Sequence, residues 1–316
     1  MEGYKMYFPY LRGRQFELIA LRELVEGNRI NEKIIPIIEP IKPSSTLLKT
    51  LQTFVDNDKE IAVVFNPTVG DFGKEIKEMR AEDSKIASEL YELLLNNEKI
   101  IKSYVMNNAR AKRLKADADK EKHMIINMTR DSLDDFLEVY DELLPRYTLI
   151  PDDRAFRRVI PDTKILFEDN FKKQARNIDY LENPDEFFSD THLYFQNENY
   201  VGFSDYSIVG EEFNESGFAP VAVAIHIVYL GKQKEMRIHH FVSDSNEGIE
   251  DPGGKFGEAL EKLVYWCDEN NVKNTLGLQG FYECYNSGKY PGLGTVKKLS
   301  IMHHLELVSD FLGGEF

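Results

Sequence analysis

Through the first 200 residues, short apolar runs alternate with stretches whose apolar positions recur every three or four residues. The run 7–11 predicts a strand, and Phe16, Ile19, Ala20 and Leu24 after it predict a helix. The run 34–38 predicts a second strand, and Leu47, Leu48, Leu51, Phe54 and Val55 the helix behind it. A strand at 61–65 is followed by a polar loop with Gly70 and Gly73, then by a helix with Ile86, Leu90, Leu93 and Leu94 inward. Strands follow at 100–106, 124–126, 147–150, 164–167 and 200–203. Between them lie a weakly amphipathic helix at 109–122, a strong one carrying Leu133, Phe136, Leu137, Tyr140, Leu143 and Leu144, and a short one at 154–159. Ser132 reads as the N-cap of the strong helix and Pro145 as its stop.

Strands that alternate with helices predict parallel pairing through helical crossovers. Eight such units predict a (β/α)8, TIM-barrel-like fold. The main rival is an open doubly wound sheet, although Arg12-Gly13-Arg14 lacks the glycine-rich phosphate fingerprint expected there. After the eighth strand the pattern changes. The runs 221–230 and 235–242, joined at 231–234, predict a β-hairpin inserted after strand eight, within 207–253. The helix carrying Phe256, Ala259, Leu260, Leu263, Val264 and Cys267 reads as the eighth barrel helix. Residues 273–316 read as a C-terminal helical extension, so that 1–316 form one domain.

Composition narrows the functional classes. Hydrophobic residues make up 42% of the 316, which suits a folded core. A net charge of −15 argues against direct nucleic-acid binding as the main role, because phosphate contacts need clustered Lys and Arg. Arg110, Lys112, Arg113 and Lys115, and Arg154, Arg157 and Arg158, are interleaved with acids and read as solvated faces. Residues 1–10 carry no signal-peptide core, and the longest apolar run, 221–230, is far short of the roughly 20 residues that span a bilayer. Two cysteines, Cys267 and Cys284, make no disulfide framework, so a cytoplasmic location is expected.

Candidate chemistry lies at the strand ends: Arg12 and Arg14, Glu39, Asn66, Asn107, Asn127, Asp152, Glu168 with Asp169, and Asp205. In barrel register they would converge on one mouth, where they would suit a sugar, a phosphorylated or nucleotide ligand, or Mg²⁺ held by oxygen ligands. Asn and Asp are also ordinary turn residues, which is the competing reading. Glu39 follows an unbroken apolar run, so its carboxylate needs a partner; Arg12 or Arg14 would supply one, as a structural ion pair or as part of a ligand site. Glu39 and Asp205 are the candidate acid/base pair or cation ligands. His226 and His239 would face each other across the hairpin, but neither they nor His303-His304 match a zinc pattern. Cys267 reads as core.

The segment Tyr7-Phe8-Pro9-Tyr10-Leu11-Arg12-Gly13-Arg14-Gln15-Phe16-Glu17, followed by Ala20-Leu21, Leu24 and Ile35-Pro36-Ile37-Ile38-Glu39, resembles the phage T4 beta-protein family and its bacterial relatives. Asp205-Tyr206 resembles a second motif of that family. The resemblance implies a barrel-like fold, a phage or mobile-element context linked to antiviral defence, and in one branch a small restriction-nuclease-like protein encoded alongside. It carries over Arg12 or Arg14, Glu17, Glu39, Asp205 and Tyr206 as site positions, and it implies no known reaction. Two readings follow. One is an enzyme of hydrolase type acting on a phosphorylated or nucleotide ligand. The other is a non-catalytic regulatory or antitoxin-like partner of a nuclease-like effector.

Overall fold

The computed structural model describes residues 5–141, 143–214 and 220–316. Part of the expected insertion, residues 215–219, thus lies outside the described residues. In chain order the elements are β1 (Met6–Tyr7), β2 (Tyr10–Leu11), α1 (Gln15–Glu26), β3 (Ile37–Ile38), α2 (Ser45–Asp56), β4 (Ile61–Val64), α3 (Phe72–Ala81), α4 (Lys85–Asn96) and β5 (Ile100–Val105). Next come α5 (Asn108–Leu114), β6 (Met124–Ile126), α6 (Ser132–Val139), β7 (Tyr147–Ile150), α7 (Arg154–Val159), β8 (Lys164–Glu168), β9 (Asp185–Ser189) and α8 (Thr191–Tyr194). The chain ends with β10 (Gly202–Asp205), β11 (Ala224–Leu230), β12 (Met236–Val242), α9 (Pro252–Asn270), α10 (Leu276–Ser287) and α11 (Leu293–Gly313).

Nine parallel strands form one curled sheet in the order β1-β10-β8-β7-β6-β5-β4-β3-β2. This is an α/β architecture with an open strand order, where a closed ring of eight was expected. The difference arises in the first strand. Pro9 has no N–H to give to a ladder, so the expected strand 7–11 becomes β1 and β2, one at each edge of the sheet. Around the break, the Phe8 N–H donates to the Phe203 carbonyl (2.9 Å), while the Tyr7 and Pro9 carbonyls accept from the Ile35 (3.0 Å) and Ile37 (2.8 Å) N–H groups.

Successive strand residues point to opposite faces. Met6, Phe8, Tyr10, Ile37, Val64, Ile126, Leu149, Ile165, Phe167 and Tyr206 belong to an inner apolar cluster that contains no helix residue. Tyr7, Leu11, Ile38, Val63, Ile125, Leu166 and Phe203 pack outward with the helices. Each fully buried aliphatic side chain contributes about 1.5–3 kcal/mol, so this alternation fixes the register of the sheet.

The second half departs further from expectation. β11 and β12 form the hairpin, but β9 joins them as a third antiparallel strand, so the small sheet draws on the segment before β10 as well as the one after it. Its register sets His226 opposite His240, and His239 opposite Ile227, in place of the expected His226–His239 pair. The helix expected to be the eighth of a barrel, α9, lies on this small sheet and against α10. The C-terminal extension is two helices; α11 packs beside α1, β1 and β11, where an eighth barrel helix would sit. α6 begins at Ser132 with Asp131 as its N-cap, and the Ser132 hydroxyl donates to the Asn127 side chain and the Thr129 carbonyl. No helix among the described residues is long and apolar enough to cross a membrane.

Candidate functional site

Glu39 follows β3 on the inner face and is fully buried. Four donors hold it. Tyr10 Oη donates to Oε2 at 2.8 Å, and Arg12 Nη1 ion-pairs with the same oxygen. The Thr68 N–H and hydroxyl donate to Oε1 at 2.5 and 2.7 Å. The Arg12 guanidinium is itself buried, standing 5.3 and 5.2 Å from the Tyr10 and Tyr206 ring centres, and its Nη2 donates to the Glu211 carbonyl at 2.8 Å. Burial opposes its charge, but Glu39, Tyr10 and Tyr206 together hold it above its ordinary value. Burial raises the Tyr206 phenol, with Arg12 opposing. Tyr10, Phe167 and Tyr206 pack ring to ring, with centroids 4.9–5.3 Å apart. The ion pair thus sits on an aromatic floor, and every oxygen lone pair direction of Glu39 is in use.

Asp205 ends β10 one residue before Tyr206, so it points to the other face of the sheet. Its partners are all neutral: Tyr7 Oη at 2.6 Å, the Ser207 N–H at 2.7 Å and Asn170 Nδ2 at 3.4 Å. Burial raises its carboxyl above the usual carboxylate range, against those three bonds. Burial also raises Glu168, which is aligned with Asp205 across β8 and β10 and accepts from Thr191 Oγ1 at 3.1 Å. Asp169 is raised too, mainly by burial; it accepts the Phe171 and Glu211 N–H groups. Beneath α11, Ser207 Oγ lies 2.8 Å from His304 Nδ1, and burial lowers His304 to about 3. Ser207 adopts a left-handed backbone (φ 51°), a strained conformation for a residue with a side chain.

The two candidate acids are therefore brought to opposite faces of one sheet and do not form a pair. The other expected positions are placed as follows. Asn66 exchanges hydrogen bonds with the Val105 backbone (2.8 and 3.0 Å), acting as one more rung between β4 and β5. Asn107 accepts from the Arg110 N–H and caps α5. Asn127 donates to the Leu149 carbonyl and accepts from Ser132. Asp152 ion-pairs with Arg157. Arg14 bonds the Asn214 carbonyl and covers the Phe213 ring, and Glu17 accepts the Arg14 N–H at 3.4 Å from inside the first turn of α1. Carboxylates in that position favour the helix N-terminus.

Among the described residues no group of three or more His, Cys, Asp or Glu could hold a metal ion. The histidine pairs are internal: His226 Nδ1 lies 2.8 Å from His240 Nδ1, and His303 lies 2.7 Å from Thr275 Oγ1 and 2.8 Å from the Val228 carbonyl. Cys267 is buried on the core face of α9, where desolvation pushes its thiol up to about 12. Three of the basic side chains are engaged locally: Arg110 of α5 covers Tyr104, Lys115 just after it pairs with Glu138, and Arg157 of α7 pairs with Asp152.

Sequence reasoning missed Tyr7, Tyr10 and Thr68, which hold the two acids. A signal for the tyrosines was present: they occupy strand positions of opposite parity, each with a hydroxyl that must find a buried partner. Known protein families, curated proteins and solved structures contain no match to this chain.

Proposed function

We propose that this protein is a non-catalytic regulatory or antitoxin-like partner of a nuclease-like effector in a phage-related defence setting in the cytoplasm. The observation that carries this reading is the saturation and separation of the two acids. An acid/base or cation-binding role at one strand-end site would need Glu39 and Asp205 together and accessible. Instead each is buried, each is bonded within the fold, and the sheet lies between them. The reading as an enzyme on a phosphorylated or nucleotide ligand at the strand-end mouth therefore ranks second. The net charge of −15 favours a basic protein partner through electrostatic complementarity. The resemblance of residues 7–40 to the phage beta-protein family supplies the defence context.

This reading includes a (β/α)8-like barrel as its scaffold. It is supported by the hydrogen bonds of residues 7–9 to both β10 and the segment 35–37, which bring the two edges of the sheet onto one stretch of chain. Co-expression with a small restriction-nuclease-like protein of the kind the resemblance implies, followed by mass measurement in solution, tests the proposal. A stable complex is expected. A chain that stays alone and turns over a nucleotide by itself would overturn it.

A further inference from the structure

A cavity of about 250 Å³ opens between the segment after β8, the segment after β10 and the first turns of α11. Its walls include Phe171, Ile208, Val209 and Val296, and two lysines line it, Lys173 and Lys297. The Lys297 side chain is 32% exposed. Its nearest carboxylate oxygen, Glu17 Oε1, is 3.6 Å away, beyond ordinary hydrogen-bond length. That oxygen is buried and has no hydrogen-bond partner among the described residues. The ammonium thus keeps donors to spare, which it can turn toward the cavity. Burial lowers Lys297, with Arg14 and Lys173 adding to the effect and Glu17 opposing it. Three cations therefore act at this spot in a chain of strong negative charge. Lys173 is matched by Glu212 at 3.1 Å and Lys297 by Glu17, while Arg14 bonds a neutral carbonyl.

We propose that this cavity binds a small phosphorylated molecule, the Lys297 ammonium donating to its phosphate and Phe171, Ile208 and Val296 covering its body. Lysine is an effective point-charge ligand for phosphate, and apolar walls with a few placed polar groups are the usual composition of a ligand cavity. The volume admits a phosphate with a few carbon atoms and is too small for a nucleotide polymer. Glu17 opposes the burial that lowers Lys297 and so favours its protonated form. The site is separate from both acids discussed above and does not depend on the partner proposal.

The test uses the isolated full chain and inorganic phosphate, with ionic strength held constant by chloride. Phosphate at tenfold its Kd is expected to raise the unfolding midpoint by about 2 °C. Lys297→Met should abolish the shift, and Lys232→Met, a control in the hairpin turn, should retain it. Ala224→Met, which places bulk at the cavity wall without changing charge, should also abolish it, and it decides the matter if Lys297→Met does not fold. No phosphate-dependent shift in the unaltered chain, or an undiminished shift in Lys297→Met or Ala224→Met, would overturn the proposal.

Discussion

Glu39 and Asp205 occupy matching places, each buried at the C-terminal end of a parallel strand, yet the fold treats them in opposite ways. Glu39, on the inner face, is matched by a full positive charge and three further donors. Asp205, on the outer face, receives a phenol, one backbone N–H and one amide. A buried ion pair is costly to break but adds little over an apolar replacement of both partners. A buried acid with neutral donors is instead held toward its protonated form, as its raised pKa shows. Similar positions in sequence thus give a charged lock in one case and a titratable seam in the other, and neither leaves a carboxylate free for chemistry.

The largest expected effect breaks the first half of this comparison. Arg12→Met strands the Glu39 charge and should cost about 3–5 kcal/mol in urea unfolding. The double change Arg12→Met with Glu39→Met should recover most of that loss, since no charge is then left unpaired.

The second prediction concerns the seam under α11. His304 is lowered to about 3, so its contribution is present above its ordinary value of 6.5 and is lost as pH falls from 6.5 toward 3. His303, lowered to about 4, adds loss in the same direction. His304→Gln should flatten this acid limb when stability is measured across that range.

Smaller still is Tyr7→Phe, which removes the shortest bond to Asp205 and should cost about 1–2 kcal/mol. The smallest effect is a change of slope. With its pKa raised, Asp205 stabilises the fold fully below its ordinary 3.8, and that contribution is lost as pH rises through its folded value. Stability of the unaltered chain relative to Asp205→Asn should therefore decline between pH 4 and pH 7.

Much of the inner sheet was legible because its period is strong. β4 to β8 lie within a residue or two of the apolar runs that predict them, and β6 and β7 match them end to end. The failures have physical causes. α3 reads as loop because only Phe72 and Ile76 are buried along it and Gly73 interrupts it. β9 is five residues with no clean alternation, and only Phe188 and Ser189 are buried. The apolar run at 200–203 predicts β10 two residues early, because Ser204 and Asp205 read as a loop. Both are buried strand residues whose polarity is satisfied within the fold, Ser204 by donating to the Phe8 carbonyl at 2.6 Å. At Gly202 an added Cβ would lie 2.6 Å from the Met6 carbonyl oxygen, so the strands approach there as only glycine allows. α11 showed no stripe because every residue from Leu299 to Ser309 is buried, so it has no polar face to mark. α9 showed a clear stripe, but periodicity says that a face is covered and not by what.

The candidate positions were found and their grouping was not. Asp205 and Tyr206 are adjacent in sequence and so point to opposite faces, a consequence of strand parity that a strand ending at 203 hides. Of the two lysines that line the cavity, Lys297 lies on a helix with no apolar stripe to orient it.

The separation of the two acids is tested most directly by a double-mutant cycle between Glu39→Gln and Asp205→Asn, read by urea unfolding at pH 7. Two independent clusters predict additive losses, within about 0.5 kcal/mol. A coupling above about 1 kcal/mol would mean that the two carboxyls share one site, and would contradict the account.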